Sequence, residues 1–286
     1  MNWQTSRFRI ELAQPRVMGI VNVTPDSFSD GGTHDSPADA LAHCEQLLRE
    51  GCDILDIGGE STRPGSPAVA LEEELARVMP VLREAVKLGV PVSVDTYKPQ
   101  VMQAALDAGV DIINDVWALR QPGAEQIVAA HPACGVCLMH MHRDPQTMQV
   151  APMSGDALPP VRDFLAERAG ALQKAGVAAP RIVLDPGIGF GKTAAQNFEL
   201  LARQEELLAL GYPLLAGWSR KGSLGAVTGI ERAAERMVPS VAAALLAAER
   251  GARIVRVHDV KETVAALAVW RAVHATTTTQ QQDTSR

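Results

Sequence analysis

The sequence has few aromatic residues, few cysteines and no excess of positive charge. Phe, Trp and Tyr make up 4% of the 286 residues, whereas hydrophobic residues make up 47%. The core must therefore be aliphatic, as in parallel sheets that are buried on both faces. The formal net charge of −6 argues against a general nucleic-acid binder, which needs positive charge to neutralise phosphates. A few converging cations would still suffice to bind a small anion.

Long apolar runs and a secretory signal are also missing. No run reaches the roughly 18 residues that a membrane-spanning helix needs, and the first residues lack a basic segment followed by an apolar one. We therefore expect a cytoplasmic protein with no membrane partner and no nucleic-acid partner. Cys134 and Cys137 have C-x-x-C spacing, but no second pair completes a zinc site. Structural thiols are the favoured interpretation.

Short β-branched runs alternate along the chain with segments of helical periodicity. Strict alternation predicts parallel strands with right-handed crossovers, and eight repeats favour a closed (β/α)8 TIM barrel, a single α/β domain over residues 1–275. Residues 8–12 are expected to form a short N-terminal hairpin across the barrel bottom. The Thr- and Gln-rich tail, 276–286, is predicted to be disordered. The predicted strands are Val17–Val23, Asp53–Ile57, Val90–Val94, Ile112–Val116, Gly135–Met139, Arg181–Leu184, Pro213–Gly217 and Arg253–Val257.

Each predicted strand ends in a polar group, and strand C-termini form the active site of such barrels. Asp95, Asn114 and Asp185 offer carboxylates and an amide to a heterocycle that carries adjacent N–H donors. A second, cationic set suits a phosphate or diphosphate, and Asn22 can offer an oxygen to a magnesium ion that shares the charge. The cationic set consists of Arg63, Arg220, Lys221, Arg256 and His258.

Two local motifs suggest other chemistry and are weaker. The segment Gly187–Thr193 resembles a phosphate-binding loop, but Pro186 stands where the first glycine of that motif belongs. His140 and His142 have the spacing of a metal-binding pair, yet no carboxylate set is attached to them in the sequence. A barrel metallohydrolase that uses these histidines stays open as a third possibility.

Several motifs, in order along the chain, resemble the bacterial dihydropteroate synthases of the pterin-binding family. The resemblance runs from about Arg16 to the last helix. It rests on Val17-Met-Gly-Ile-Val-Asn-Val-Thr-Pro-Asp-Ser-Phe, Gly58-Gly-Glu-Ser-Thr-Arg-Pro-Gly, Ser93-Val-Asp-Thr, Ile112-Ile-Asn-Asp-Val, Leu184-Asp-Pro-Gly-Ile-Gly-Phe-Gly-Lys, Ser219-Arg-Lys and Arg256-Val-His-Asp.

The resemblance implies a transferase of folate biosynthesis. Such an enzyme condenses 4-aminobenzoate with (7,8-dihydropterin-6-yl)methyl diphosphate to give 7,8-dihydropteroate and diphosphate. It also implies Mg2+ as the cofactor, inhibition by sulfonamides and a homodimer formed through outer helices. The implied mechanism is dissociative, with diphosphate leaving before the arylamine attacks. The sequence agrees with this, because it shows no Ser–His or Cys–His pair placed as a covalent nucleophile.

The resemblance also implies site residues, by position in the matching motifs. Asp95, Lys221, Arg256 and His258 are the expected catalytic residues, and Asn22 is the expected metal ligand. Phe28 and Asp30 fall in a mobile first loop. The expected pterin and diphosphate residues are Asp95, Asn114, Met139, Asp185, Gly217, Lys221, Arg256, Val257 and His258. The expected aminobenzoate residues are Thr62, Arg63, Pro64, Phe190, Ser219 and Lys221.

A non-catalytic barrel that binds pterin or folate is the alternative interpretation. Such a protein would share the carboxylate set but would need no diphosphate cluster. The retention of Arg63, Lys221, Arg256 and His258 therefore favours the synthase.

Overall fold

Eight parallel strands form a closed barrel in the computed structural model, which describes residues 1–24, 37–62, 65–144, 147–148 and 150–283. The last strand pairs with the first, which closes the sheet. The strand bounds lie within two residues of those predicted, and they confirm the (β/α)8 barrel. The barrel strands are β3 (Arg16–Asn22), β4 (Ile54–Gly58), β5 (Val92–Asp95), β6 (Ile112–Asp115), β7 (Gly135–Met139), β8 (Ile182–Asp185), β9 (Leu214–Ala216) and β10 (Ala252–Val257).

Helices follow the strands and cover the outside of the barrel. Their apolar faces pack on the outward side chains of the strands and form a large aliphatic cluster, in which Val78 and Leu82 from the second helix are fully buried. Burial on both faces explains why these strands read as almost continuous apolar runs. The helices are α1 (Pro37–Arg49), α2 (Leu71–Ala85), α3 (Pro99–Asp107), α4 (Ala124–Ala130), α5 (Leu158–Lys174), α6 (Ala194–Ala202), α7 (Glu205–Leu208), α8 (Gly222–Thr228), α9 (Met237–Glu249) and α10 (Val260–Asp283).

An N-terminal hairpin closes the bottom of the barrel, as the sequence predicted. Its strands, β1 (Asn2–Gln4) and β2 (Arg9–Glu11), pair in antiparallel fashion. Trp3 is fully buried and its indole N–H donates to the carbonyl of Arg181 at 2.9 Å. Trp3 and Ile10 pack in one cluster with the inward side chains of the barrel strands. The hairpin therefore leaves the opposite end of the barrel as the open one.

The last helix is longer than the composition predicted. α10 extends to Asp283 and includes residues 276–283, for which we expected disorder. No Gly or Pro interrupts this segment, so each further residue can add a hydrogen bond to a helix that is already formed. Residues 284–286 lie outside the described part of the chain. No described helix is long and apolar enough to cross a membrane.

The four cysteines are buried and free. The thiol of Cys134 accepts a hydrogen bond from the Arg181 guanidinium at 3.2 Å, and burial raises the pKa of Cys52 to about 12. A thiol that is this hard to ionise is a poor metal ligand and a poor nucleophile. The contacts therefore agree with structural thiols.

Candidate active site

The register of the barrel ladder brings the predicted polar residues to one level. Asn22 pairs with Gly58, Gly58 with Asp95, and Asp95 with Asn114. On the other side of the barrel, Asp185 pairs with Met139. These positions all stand at the C-terminal ends of their strands, so the side chains that the sequence placed at one rim do come together there.

Arg256 lies between two carboxylates inside the barrel mouth. Its Nε donates to Asp56 Oδ2 at 2.5 Å and its Nη2 donates to Asp95 Oδ2 at 2.6 Å. The side chain of Asp56 is inaccessible to solvent and that of Asp95 is 12% exposed. Burial opposes the charge on Arg256, but the two carboxylates outweigh it and raise the pKa of Arg256. One guanidinium thus serves two buried acids.

Asp56 was not among the predicted site residues, and it is central to this cluster. Its Oδ2 also accepts from Asn114 Nδ2 at 3.1 Å, and its Oδ1 is buried without a hydrogen-bond partner among the described residues. A usable signal is present in the sequence, because Asp56 is an acidic residue inside the apolar run of β4. A buried acid in a core strand needs partners, and this fact alone marks it for attention.

Burial sets the protonation of the two predicted heterocycle acids. It raises the pKa of Asp95 to about 7, against the attraction of Arg256 and with the help of repulsion from Asp56. Burial also raises the pKa of Asp185, although the Gly187 N–H donates to its Oδ1 at 2.7 Å and the Lys221 charge acts in the opposite direction. Such carboxylates gain most from a ligand that brings N–H donors.

Phe190 and Lys221 form a second wall. The Lys221 Nζ lies 4.0 Å from the centre of the Phe190 ring, a cation–π contact. The ring packs with Met139 in a small apolar cluster at the C-terminal ends of the strands. Gly217 stands opposite Asp185, whose Oδ2 would lie 4.0 Å from a Cβ at this position. The missing side chain therefore keeps the space in front of that carboxylate open.

Ser219 and His258 are joined by hydrogen bonds. Ser219 Oγ lies 3.0 Å from His258 Nδ1, and the backbone N–H of His258 donates to the same Oγ at 3.1 Å. Nothing in the order of residues pairs them; the expectation was only that no Ser–His pair is placed as a covalent nucleophile, and it stays a prediction. The backbone bond occupies Oγ, and Ser219 is buried. These contacts suit a rigid link between the loops after β9 and β10.

Two of the expected residues, Arg220 and Val257, make contacts that the sequence did not predict. Arg220 pairs with Asp259, with Nη2 and Oδ1 2.7 Å apart, so its charge is already neutralised. Val257 packs in the cluster between barrel and helices. Its side chain points outward because it alternates with the inward Arg256 along β10. Val257 was expected only as a substrate-binding residue, and that expectation stays a prediction.

The segment after β4 is anchored before it reaches Thr62, which is half-buried. Glu60 accepts a hydrogen bond from the Tyr97 hydroxyl at 2.9 Å and pairs with the Lys98 ammonium. The same ammonium pairs with the buried Glu74. The predicted residues Phe28, Asp30, Arg63 and Pro64 lie outside the described part of the chain.

His140 and His142, the weaker possibility of a metal-binding pair, gain no support from the geometry. Among the described residues, no group of three His, Cys, Asp or Glu side chains could hold a metal ion. His140 is buried, and burial together with the neighbouring Lys192 lowers its pKa to about 2. Its Nδ1 lies 2.9 Å from the Lys192 Nζ, which accounts for the ring without a metal.

Fold and site together define an enzyme of the (β/α)8 barrel class with an acid-lined mouth. The profile described as pterin binding enzyme matches residues 18–258. Dihydropteroate synthase of Neisseria meningitidis serogroup B is 53% identical over 276 residues, which cover 95% of this chain and 97% of the relative. The Escherichia coli K12 enzyme of the same name is 47% identical over 264 residues, or 92% and 93%.

Solved structures give the same result. Dihydropteroate synthase of Xanthomonas albilineans with 4-aminobenzoic acid superposes with a TM-score of 0.91 at 53% identity, covering 96% of this chain and 99% of that one. The Burkholderia cenocepacia enzyme with 7,8-dihydropteroate gives 0.89 at 52% identity, with coverage of 97% and 98%. The chain belongs to the pterin-binding enzyme family.

Proposed function

We propose that the protein is a dihydropteroate synthase, a transferase that joins 4-aminobenzoate to (7,8-dihydropterin-6-yl)methyl diphosphate and releases diphosphate. The observation that carries the proposal is the set of three acids at the barrel mouth: Asp56 and Asp185 are buried, Asp95 is 12% exposed, and Asn114 donates to Asp56. It agrees with the relatives, which are named for this activity.

The acid-lined wall is suited to the pterin ring. Asp185 and Asp95 would accept its N–H groups, and Asn114 can both donate and accept. Hydrogen bonds to a carboxylate contribute about 1.5–3 kcal/mol each. Met139, buried beside Phe190, would supply the apolar floor on which a flat ring rests.

The wall formed by Phe190 and Lys221 is suited to 4-aminobenzoate. The Phe190 ring and the Lys221 ammonium offer an apolar face and a cation to an aromatic carboxylate, and Ser219 stands beside them on the same loop as Lys221. Thr62, Arg63 and Pro64 complete this side by resemblance to the family. The structure of the Xanthomonas relative contains 4-aminobenzoic acid.

The diphosphate would lie near His258 and Arg256. The Arg256 charge is shared by Asp56 and Asp95. Pterin N–H donors would replace part of the hydrogen bonding that Asp95 now receives from Arg256. The guanidinium could then also bind an anion. We assign Arg256 to the leaving group on this ground and His258 by resemblance to the family.

Magnesium fits the donor set only if it arrives with the diphosphate. Asn22 ends β3 and offers one amide oxygen, and the described residues hold no cluster of three acidic, His or Cys ligands. Mg2+ commonly keeps waters and takes most of its other ligands from substrate phosphates. When bound, the ion would neutralise charge on the leaving group. Asn22 would hold it at the barrel mouth.

Catalysis then rests on positioning and on stabilising the leaving group. The chain would hold the pterin on the acids, the amine in line with the exocyclic carbon, and the departing anion near cations. Ser219 is placed as a hydrogen-bonding link, because its Oγ contacts both the Nδ1 and the backbone N–H of His258.

Product formation from the two substrates tests the proposal. Purified protein, pterin diphosphate and 4-aminobenzoate should give dihydropteroate by liquid chromatography, and each substrate alone should give none. Omission of Mg2+ with added chelator should slow the reaction. Binding of pterin without any dihydropteroate in the complete mixture would refute the synthase and favour the non-catalytic pterin-binding barrel.

We also propose a homodimer through the outer helices. Val238 and Leu246 on α9 and Val269 and Val273 on α10 are between 47% and 69% exposed. Two neighbouring helices with exposed large aliphatic residues are suited to a partner surface. Sedimentation should give twice the chain mass of 30.5 kDa, and Leu246→Lys with Val269→Lys should give the monomer. A monomeric parent protein would contradict the proposal.

The cytoplasm is the compartment that we propose for the reaction. All four cysteines are free and buried, which is the usual state of thiols in a reducing compartment. Cell fractionation with an antibody to the protein is the test.

A further inference from the structure

Lys192 is a buried lysine for which the proposed reaction has no use, and burial lowers its pKa to about 7. It ends the Gly-rich segment after β8, the segment that resembles a phosphate loop, and it is only 2% exposed. A lysine that is taken out of water needs a dense set of acceptors, since the desolvation of its charge is costly. The surroundings of its Nζ therefore show what it does.

The ammonium has four acceptors within hydrogen-bond range. They are the carbonyl of Gly187 at 2.8 Å, His140 Nδ1 at 2.9 Å, the carbonyl of Phe190 at 3.3 Å and the carbonyl of His140 at 3.4 Å. Two belong to the loop after β8, and two belong to the residue that follows β7. Lys192 thus joins two neighbouring loops of the barrel mouth.

The two loop carbonyls belong to residues on which both proposed substrate walls depend. The backbone of Gly187 is held at both of its polar groups, because its carbonyl accepts from Lys192 and its N–H donates to Asp185 Oδ1. The Phe190 carbonyl is held by Lys192, and the Phe190 ring lies against the Lys221 ammonium. Lys192 therefore supports both Asp185, the acid proposed for the pterin, and the Phe190 ring, proposed for the aminobenzoate.

His140 completes the arrangement. Its pKa is lowered to about 2, mainly by burial, so the ring is neutral at all ordinary pH values. A neutral imidazole has one donor and one acceptor nitrogen. If Lys192 donates to Nδ1, the proton of His140 must be on Nε2. The tautomer of His140 is thus a direct report on the direction of this hydrogen bond.

We propose that Lys192 is a positioning residue that fixes Gly187 and Phe190 against His140 and thereby sets the geometry of both substrate pockets. The inference rests on the proposed function. A positioning role differs from a stabilising one, because loss of the ammonium displaces the pterin and the aminobenzoate pockets together. A displacement of about 1 Å can cost up to a hundredfold in rate.

Lys192→Met tests the inference, with Lys174→Met as the matched control. Methionine keeps most of the volume and removes the donor, and Lys174 is an exposed residue at the end of α5. We expect two constants each to rise about tenfold or more in Lys192→Met. They are the calorimetric dissociation constant for 6-hydroxymethylpterin and the Michaelis constant for the aminobenzoate substrate. Lys174→Met should stay within about twofold for both.

A merely structural lysine would give a different result. It would lower the melting temperature and the active fraction, so that kcat falls while both of those constants are unchanged, and this outcome overturns the proposal. His140→Asn, whose amide oxygen can replace Nδ1, should retain more pterin affinity than His140→Leu; equal losses also count against it.

The parent protein supplies a test that requires no variant to fold. Nitrogen-15 NMR of His140 at pH 6 should show the Nε2–H tautomer, and an Nδ1–H tautomer overturns the proposal. Activity of the parent protein, together with the Lys192→Met constants, separates the proposed function from this inference. A parent protein that makes no dihydropteroate refutes the proposed function, whereas an active parent with unchanged Lys192→Met constants refutes only this inference.

Discussion

Asp56 and Asp95 share the guanidinium of Arg256, and replacing Asp56 with asparagine tests what that sharing does to the pocket. The amide oxygen of asparagine can keep the bonds that Asp56 Oδ2 now accepts from Arg256 and Asn114. The amide nitrogen would take the place of Oδ1, which has no partner among the described residues. The substitution therefore removes one negative charge with little change of shape.

The expected shift follows from the protonation of Asp95. Its pKa of about 7 means that the carboxylate needed for pterin N–H groups is replaced by the acid below neutral pH. Pterin affinity should then fall by up to about tenfold per pH unit below 7, or about 1.4 kcal/mol. Loss of the Asp56 charge leaves Arg256 to Asp95 and removes a repulsion, so the pKa of Asp95 should fall by about 1–2 units.

Calorimetric titration of 6-hydroxymethylpterin between pH 5 and pH 8.5 measures this shift without the titration of a diphosphate. Asp56→Asn should bind about five- to tenfold more tightly than the parent at pH 6, after each is scaled to its own affinity at pH 8.5. Asp53→Asn is the control, because it removes a carboxylate that pairs with Arg16 just before the other end of β4. An acid limb that stays in place in Asp56→Asn would refute the reasoning.

Three further outcomes are expected. Asp185→Ala should weaken pterin binding by at least roughly 2–5 kcal/mol, and unchanged affinity in calorimetry would exclude this acid from the pterin site. Sulfonamides should compete with 4-aminobenzoate in steady-state kinetics, and insensitivity of an active enzyme would question the pocket of Thr62, Phe190 and Ser219. Gly187→Ala should lose at least about 4 kcal/mol in urea unfolding, because its Cβ would lie 1.8 Å from a backbone carbonyl oxygen. Gly211→Ala, which is left-handed but has open space around it, should lose only about 1–2 kcal/mol.

The barrel was predictable because each strand carries its own local signal. The run Gly135–Met139 was assigned with the bounds that the structure shows, and Pro213–Gly217 was assigned one residue too long at each end. Strand bounds depend on β-branched runs and on the turn residues beside them. The helical tail beyond residue 275 carries no such signal, since Thr and Gln fit several states.

The partners of the site residues were not predictable in the same way. Asp56 and Arg256 are 200 positions apart, and Asp95 and Arg256 are 161 apart. Residue types at strand ends show which groups reach the rim, but the pairs depend on which side chains face inward across a closed barrel. The same limit concealed the hydrogen bonds between Ser219 and His258, and those of Lys192.

These pairings change the charge that a diphosphate would meet. The sequence places five cationic residues at the rim. However, Arg220 is neutralised by Asp259, and Arg256 pairs with two carboxylates, those of Asp56 and Asp95. The described part of the mouth is therefore less positive than the residue count indicates. An anion with several charges must then bring its own cation or loosen Arg256 from the acids. In the second route, the N–H donors of the pterin replace Arg256 as the hydrogen-bonding partners of these carboxylates. Arg256 can then bind the anion.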